Sequence, residues 1–312
     1  MGQISTSQPP HPFEGLYSFW KFSRPHTIIG TTLSVWGIFA IATSYHNGGT
    51  EFFEGSRLLE AIFAWIACLC GNVYIVGLNQ LEDVEIDQIN KPHLPLASGD
   101  FSRQQGWAIV AITGVLAILI SAFQSYWLLG MVAISLLLGT AYSLPPIRLK
   151  RFPFWASFCI FTVRGIVVNL GLFLHFNGGF PLIPEVWALT LFVLVFTFAI
   201  AIFKDIPDLE GDRQYNITTL TLKLGKESVF NLARWVISSC YLGMAIGGVL
   251  WLPSLNLIAL VTTHLSVLAL FWWRSQRVNL EDKTSIAAGY QFIWKLFFLE
   301  YLMFSAICFF GV

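Results

Sequence analysis

Hydrophobic and polar positions along this chain alternate in long blocks rather than at short range. Apolar stretches with almost no charge inside them recur near 27–46, 58–81, 104–122, 125–142, 153–175, 184–204, 228–250, 254–273 and 287–310. A helix of about 20 apolar residues crosses a hydrocarbon core, and backbone groups at that depth must find their hydrogen bonds inside their own segment. The pattern therefore predicts an all-α fold: a polytopic membrane bundle of nine transmembrane helices. One such domain accounts for residues 1–312, with 1–26 as a segment preceding the first span.

Composition agrees. Hydrophobic residues make up 55% and charged residues 12%, against roughly 25% charged in soluble domains, which excludes an ordinary soluble enzyme. The 18 basic and 18 acidic residues cancel, so no overall field draws nucleic acid, and no basic tail does so locally. The five cysteines lie inside apolar blocks, where neither a disulfide framework nor a zinc site is expected. The 28 phenylalanines are expected mainly at lipid-facing and packing surfaces. The first residues carry neither a signal-peptide nor a transit pattern, so insertion is expected to start from the first span.

Charge position then orients the bundle. Lys21, Arg24, Lys91, Arg148, Lys150, Lys204, Arg213, Lys223 and the other basic loop residues fall on one side, and Arg57 alone on the other, with Arg164, Arg234 and Lys295 in or at the ends of spans. Because basic loops stay inside, the N-terminus is expected in the cytoplasm and the C-terminus outside.

Two acidic clusters stand out. The second span runs into Asn79, Asp83 and Asp87, spaced by four; if the helix continues, all three project from one face. The sixth runs into Asp205, Asp208 and Asp212, at offsets of three and four, again one face. Both spans run outward to inward, so the clusters share a cytoplasmic depth and can meet across a cavity. Five aspartates there repel one another unless cations intervene, and an all-oxygen ligand set with open positions suits Mg²⁺ completed by a diphosphate. Lys91, Lys204, Arg213, Lys223 and the basic run containing Arg148 and Lys150 can clamp the remaining phosphate oxygens. Arg164 lies well inside an apolar span, where an arginine is costly and faces a cavity or a partner. His26, after Arg24-Pro25, reads as part of a helix start.

Asn79-x-x-x-Asp83-x-x-x-Asp87 paired with Asp205-x-x-Asp208-x-x-x-Asp212 resembles the UbiA-type intramembrane aromatic prenyltransferases. The wording NQLEDVEIDQINKPHLPLASGD (79–100) and KDIPDLEGDRQYNITTLTLKLG (204–225) is similar to the homogentisate branch, most of all to its phytyl-transferring members of tocopherol synthesis. The resemblance implies Mg²⁺-assisted ionisation of phytyl diphosphate and attack by homogentisate, which loses its carboxylate to give 2-methyl-6-phytyl-1,4-benzoquinol. It implies that Asp83, Asp87, Asp205, Asp208 and Asp212 hold metal, while Asn79 coordinates it or orients the diphosphate. Tyr142 is expected near the reacting carbons. Arg24, Arg148 and Arg164 are open candidates for the acceptor carboxylate. The membrane lipid surrounds the prenyl tail, and the host is expected to be a thylakoid or plasma membrane of a cyanobacterial-type cell, with the site on the cytoplasmic side. Solanesyl or geranylgeranyl transfer, chlorophyll synthesis and other quinone pathways remain alternatives. An ion-coupled carrier is disfavoured because the carboxylates sit at a boundary rather than on broken helices at the midplane.

Overall fold

The computed structural model describes residues 12–47, 50–207, 209 and 219–311. Among the described residues there is no strand, and nine helices are long and apolar enough to cross a membrane. The first is α2 (Pro25–Asn47), preceded by a shorter α1 (Pro12–Phe22). The second is α3 (Gly55–Glu82), followed by the short helices α4 (Val84–Asn90) and α5 (Pro95–Ser98). Next come α6 (Arg103–Gln124) and α7 (Tyr126–Ser143). The fifth crossing is composite, with α8 (Pro153–Phe161), a π-helical turn (Thr162–Val167) and α9 (Val168–Phe176). The sixth is α10 (Pro184–Lys204), after which a short α11 (Leu220–Leu224) leads into α12 (Lys226–Trp251), α13 (Leu257–Ser275) and α14 (Lys283–Phe310).

Local chemistry fixes the helix ends. Ser102 and Gln105 form a reciprocal capping box at the start of α6, and Ser125 accepts from Leu128 N–H at the start of α7, each satisfying backbone donors that a helix start leaves open. Asp282 caps α14 through Thr284 and Ser285 N–H. In the bundle α2 packs against α3, α9 and α14, α3 against α6 and α7, and α10 against α12 and α14. Phe39, Phe173, Phe176, Phe196, Phe203, Phe297 and Phe304 form the buried centre, whereas Phe123, Phe154 and Phe310 face outward.

The described part of the segment before the first span, from Pro12, forms a helix of its own. Over 15–22, α1 exposes Leu16, Tyr17, Phe19 and Trp20, buries Ser18 and Phe22, and carries Lys21 in its last turn. An apolar outer face on a helix beside a membrane span suits the interface plane. Lys21 Nζ donates to Asp100 Oδ2 at 2.6 Å and Ser18 Oγ to the same oxygen at 3.1 Å, so α1 is tied to the loop after α5.

Neither acidic cluster continues its span as one straight helix. At Asp83 the backbone leaves the helical region (φ −117°, ψ 17°) and its N–H reaches back only to Gln80 O; α4 then starts a new helix. Asp83, whose carboxylate is engaged by side chains from other segments (below), breaks the helix without glycine or proline, as aspartate does when its side chain competes with the helical pattern. On the sixth span α10 stops at Lys204, two residues before Ile206, where the following Pro207 disfavours helix in its predecessor. Asp208 and Asp212 lie outside the described residues.

Candidate active site

The site begins at the elbow between α1 and α2. Phe22 turns its ring against Gly77 of α3, where an added Cβ would lie 2.7 Å from the ring. Gln80, buried in α3, donates to Phe22 O at 2.7 Å, satisfying a carbonyl that the end of α1 leaves open. Asn72 of α3 donates to Thr27 Oγ1 at 2.9 Å. Held in this way, Arg24 adopts φ 53°, a strained conformation for a residue with a side chain.

From there a continuous polar string enters the first acidic cluster. Arg24 Nη2 donates to Asn79 Oδ1 at 3.1 Å, and Asn79 Nδ2 donates to Asp83 Oδ2 at 3.0 Å. Asp83 also receives Lys150 Nζ at 2.6 Å on Oδ2 and Arg148 Nη2 at 3.1 Å on Oδ1. Arg148 further donates to Glu82 O, a carbonyl at the end of α3. Arg148 has φ 39°, and it and Arg24 are the non-glycine residues with positive φ among those described. Both reach the same cluster, in keeping with the tendency of strained backbone to gather at working sites.

Asp87 completes this cluster one turn into α4. It is 4% exposed, and its Oδ2 has no hydrogen-bond partner among the described residues. Burial pushes its carboxyl above the usual range, opposed by Arg24 and Lys91 and reinforced by Asp83. Burial also lowers the Lys150 ammonium, with Asp83 working the other way. A buried carboxylate oxygen with no donor, beside a carboxylate already held by two cations, is the donor set that an oxygen-ligated divalent cation or a cation-bridged phosphate fits.

Of the second cluster the structure describes Asp205, which follows the end of α10. Tyr142, near the end of α7, lies within electrostatic reach of Lys204, Arg24 and Asp83, so the end of α10 and the first cluster face the same space. Lys204 and Asp205 are both engaged in contacts, as is Lys91, which faces Asp87 and His26. Asp208, Asp212 and Arg213 lie outside the described residues. Among the described residues no group of three or more His, Cys, Asp or Glu side chains is gathered closely enough to hold a metal alone. Lys223 is exposed on α11, and among the described residues it makes no hydrogen bond or ion pair with the first cluster.

Arg164 stands on the π-helical turn, its guanidinium 4.9 Å from the Trp294 ring centroid and 5.9 Å from that of Phe297. His26 does begin a helix, as its place after Arg24-Pro25 suggests, but it also packs its ring 4.9 Å from Trp294 and faces Arg24, Arg164 and Lys91. Sequence reasoning missed His26, Trp294 and Gln80 as parts of the site. For His26 and Gln80 a signal was present: polar residues next to Arg24-Pro25 and Asn79, at the ends of apolar spans.

Comparison with known proteins gives the family. Residues 31–296 match the UbiA prenyltransferase family. The chain is 58% identical over 294 residues to homogentisate phytyltransferase of Synechocystis sp., covering 93% of this chain and 94% of that one. It is 39% identical to the chloroplastic homogentisate phytyltransferase 1 of Arabidopsis thaliana (93% and 75% covered) and 37% identical to that plant's chloroplastic homogentisate solanesyltransferase (91% and 75% covered). In fold it is similar to a digeranylgeranylglyceryl phosphate synthase (TM-score 0.65, 19% identity, 95% of this chain and 99% of that one). It is also similar to a UbiA homolog from Archaeoglobus fulgidus solved with GPP and Mg²⁺ (TM-score 0.61, 14% identity, 93% and 100% covered). The chain therefore belongs to the UbiA prenyltransferase family.

Proposed function

We propose that this protein transfers a phytyl group from phytyl diphosphate to homogentisate, giving 2-methyl-6-phytyl-1,4-benzoquinol for tocopherol synthesis. The observation that carries the choice of substrates is the 58% identity to the Synechocystis homogentisate phytyltransferase across nearly the full length of both chains. The chemistry balances: the allylic C–O bond breaks with its electron pair leaving on diphosphate, and the ring carbon bonds to the allylic carbon. The ring proton is lost, while the side chain releases CO₂ and takes up a proton to become methyl.

The chain's own groups suit each task. Arg148 and Lys150 beside Asp83, Lys91 facing Asp87 and Lys204 facing Tyr142 supply positive charge where diphosphate develops its negative charge, and pre-placed cations cost no reorganisation during the step. Asp83, Asp87 and Asp205, with Asp208 and Asp212 from the second cluster, would hold Mg²⁺, and Asn79 would orient the phosphate or join them. When bound, the metal would neutralise charge on the leaving diphosphate. Tyr142, within electrostatic reach of Asp83 and of Lys204 at the end of α10, offers a ring face to the allylic cation, and cations over aromatic rings are stabilised. Arg213 and Lys223 would act through outer phosphate oxygens. Burying the prenyl tail among helices and lipid spares many methylenes from water, at about 0.8 kcal/mol each.

The whole chain acts as one catalytic unit with its N-terminus in the cytoplasm, its C-terminus outside and its site opening to the cytoplasmic face. The enzyme is set in a thylakoid or plasma membrane of a cyanobacterial-type cell, a reading supported by the identity to the Synechocystis protein. The test is product formation in membranes containing this chain, with labelled homogentisate and phytyl, geranylgeranyl or solanesyl diphosphate, each with Mg²⁺ or EDTA. A labelled lipid formed fastest from phytyl diphosphate and abolished by EDTA is the expected result. Preference for solanesyl diphosphate would reassign the donor, and no product from homogentisate would reassign the acceptor.

A further inference from the structure

Arg24, Arg148 and Arg164, the open candidates for the acceptor carboxylate, differ in their surroundings. Arg24 is bonded to Asn79, and Arg148 to Asp83 and Glu82 O. Arg164 has aromatic neighbours but no hydrogen bond or ion pair among the described residues. A guanidinium carries five donors, and leaving them unmatched inside an apolar bundle is expensive unless a ligand arrives. Trp294, 4% exposed and in contact with both Arg164 and His26, also has an indole N–H with no partner among the described residues. Arg164 is presented by a π-helical turn inside an otherwise α-helical crossing, and such turns occur often at functional sites.

Resting on the proposed reaction, we infer that Arg164, with Trp294 and His26 beside it, is the subsite for the carboxylate and ring of the aromatic acceptor. A carboxylate matches the planar fork of arginine with two parallel hydrogen bonds, and an aromatic ring matches the indole and imidazole faces. The subsite lies at the far end of a string that runs from Asp83 through Asn79, Arg24 and His26 to Trp294. Donor and acceptor thus take opposite ends of one site: the diphosphate at the acidic cluster, where the cations are already paired with carboxylates, and the acceptor at the unpaired arginine. Arg24 and Arg148 are left to the diphosphate end.

The test separates the two substrates. In Arg164→Met the KM for homogentisate should rise about tenfold to a hundredfold, the loss expected for a charged hydrogen-bonded pair, while the KM for phytyl diphosphate moves less than about twofold. Arg164→Lys, which keeps the charge but not the fork, should fall between. An unchanged KM for phytyl diphosphate also shows that the variant is folded. A second measurement needs no turnover: homogentisate should raise the unfolding temperature of the purified protein in detergent, its methyl ester should not, and Arg164→Met should abolish the rise. Equal increases in both KM values, or equal stabilisation of the variant and the parent by homogentisate, overturns the assignment. If the parent makes no product from homogentisate with any donor, the proposed reaction falls. The subsite is then judged by 4-hydroxybenzoate: stabilisation of the parent that is lost in Arg164→Met upholds it, and no stabilisation overturns it.

Discussion

Arg24 and Asn79 meet at 3.1 Å, guanidinium to amide oxygen, and the same amide donates onward to Asp83 at 3.0 Å. The asparagine therefore has a defined orientation, with its oxygen toward a cation and its NH₂ toward a carboxylate. Through it, the elbow before the first span sets the position of the acidic cluster at the end of the second. Leucine fills the same volume and can make neither bond. Asn79→Leu should lower product formation by about 100-fold, the scale on which a misplacement of about 1 Å costs rate. It should leave the protein extractable and folded, and a rate assay beside a thermal unfolding curve checks both points.

Asp83 and Asp87 stand one turn apart and should respond oppositely to the same substitution. Asp83 neutralises Arg148 and Lys150, so Asp83→Asn leaves two half-buried cations short of charge and should cost about 1.5–3 kcal/mol of stability. Asp87 is buried with one oxygen unsatisfied and its carboxyl pushed upward by burial. Removing its charge relieves a desolvation penalty, so Asp87→Asn should leave the ligand-free protein as stable as the parent or more so. Both variants should lose turnover. Unfolding temperatures without metal or substrate, compared with activity, check the contrast; a destabilised Asp87→Asn would show that the carboxylate serves the fold instead.

How much of this was legible in the sequence follows from what each feature depends on. The nine crossings were, because each rests on about 20 apolar residues in its own segment, and observed and expected bounds differ by a few residues at the ends. The pairing of Arg148 and Lys150 with Asp83 was legible only as a class of contact between a basic run and an acidic cluster. The break of α3 at Asp83 was not legible, because no glycine or proline marks it: ion pairs from a loop 65 and 67 residues further on occupy the side chain. The π-helical turn beneath Arg164 and the approach of Trp294 from the last helix depend on packing between distant segments, and no local pattern announces that.

Gly77 offers a purely steric test of the elbow. A Cβ there would meet the Phe22 ring at 2.7–2.8 Å and Val110 Cγ2 at 2.8 Å, so both the ring and a neighbouring helix must give way, which in packed interiors typically costs about 1–3 kcal/mol. Phe22 immediately precedes the Ser23-Arg24 turn. Gly77→Ala should therefore lower turnover more than its loss of stability explains, by displacing Arg24 from Asn79. Pairing it with Phe22→Leu, which shortens the ring, should recover part of the rate. Failure of the pair to recover any would place the effect elsewhere on α3.

The contact of Lys21 with Asp100 predicts how the docking of α1 depends on pH. Hydrogen bonds from Lys21 and Ser18 hold the Asp100 carboxyl below its usual range. A carboxyl whose folded pKa is depressed stabilises the folded arrangement above its unfolded pKa, near 4, and loses that contribution as pH falls through the folded value. The pair is partly exposed, so its worth is small, below about 1 kcal/mol, and the expected effect is local rather than global. Amide exchange in α1, corrected for the intrinsic pH dependence of exchange, should be faster in Asp100→Asn than in the parent at neutral pH. The two should converge once the solution is acid enough to protonate Asp100. Because α1 leads directly into Arg24, the same variant should also lower turnover modestly at neutral pH. A parent whose α1 exchange already matches that of Asp100→Asn at neutral pH would mean that the apolar face of α1 holds the helix without the ion pair.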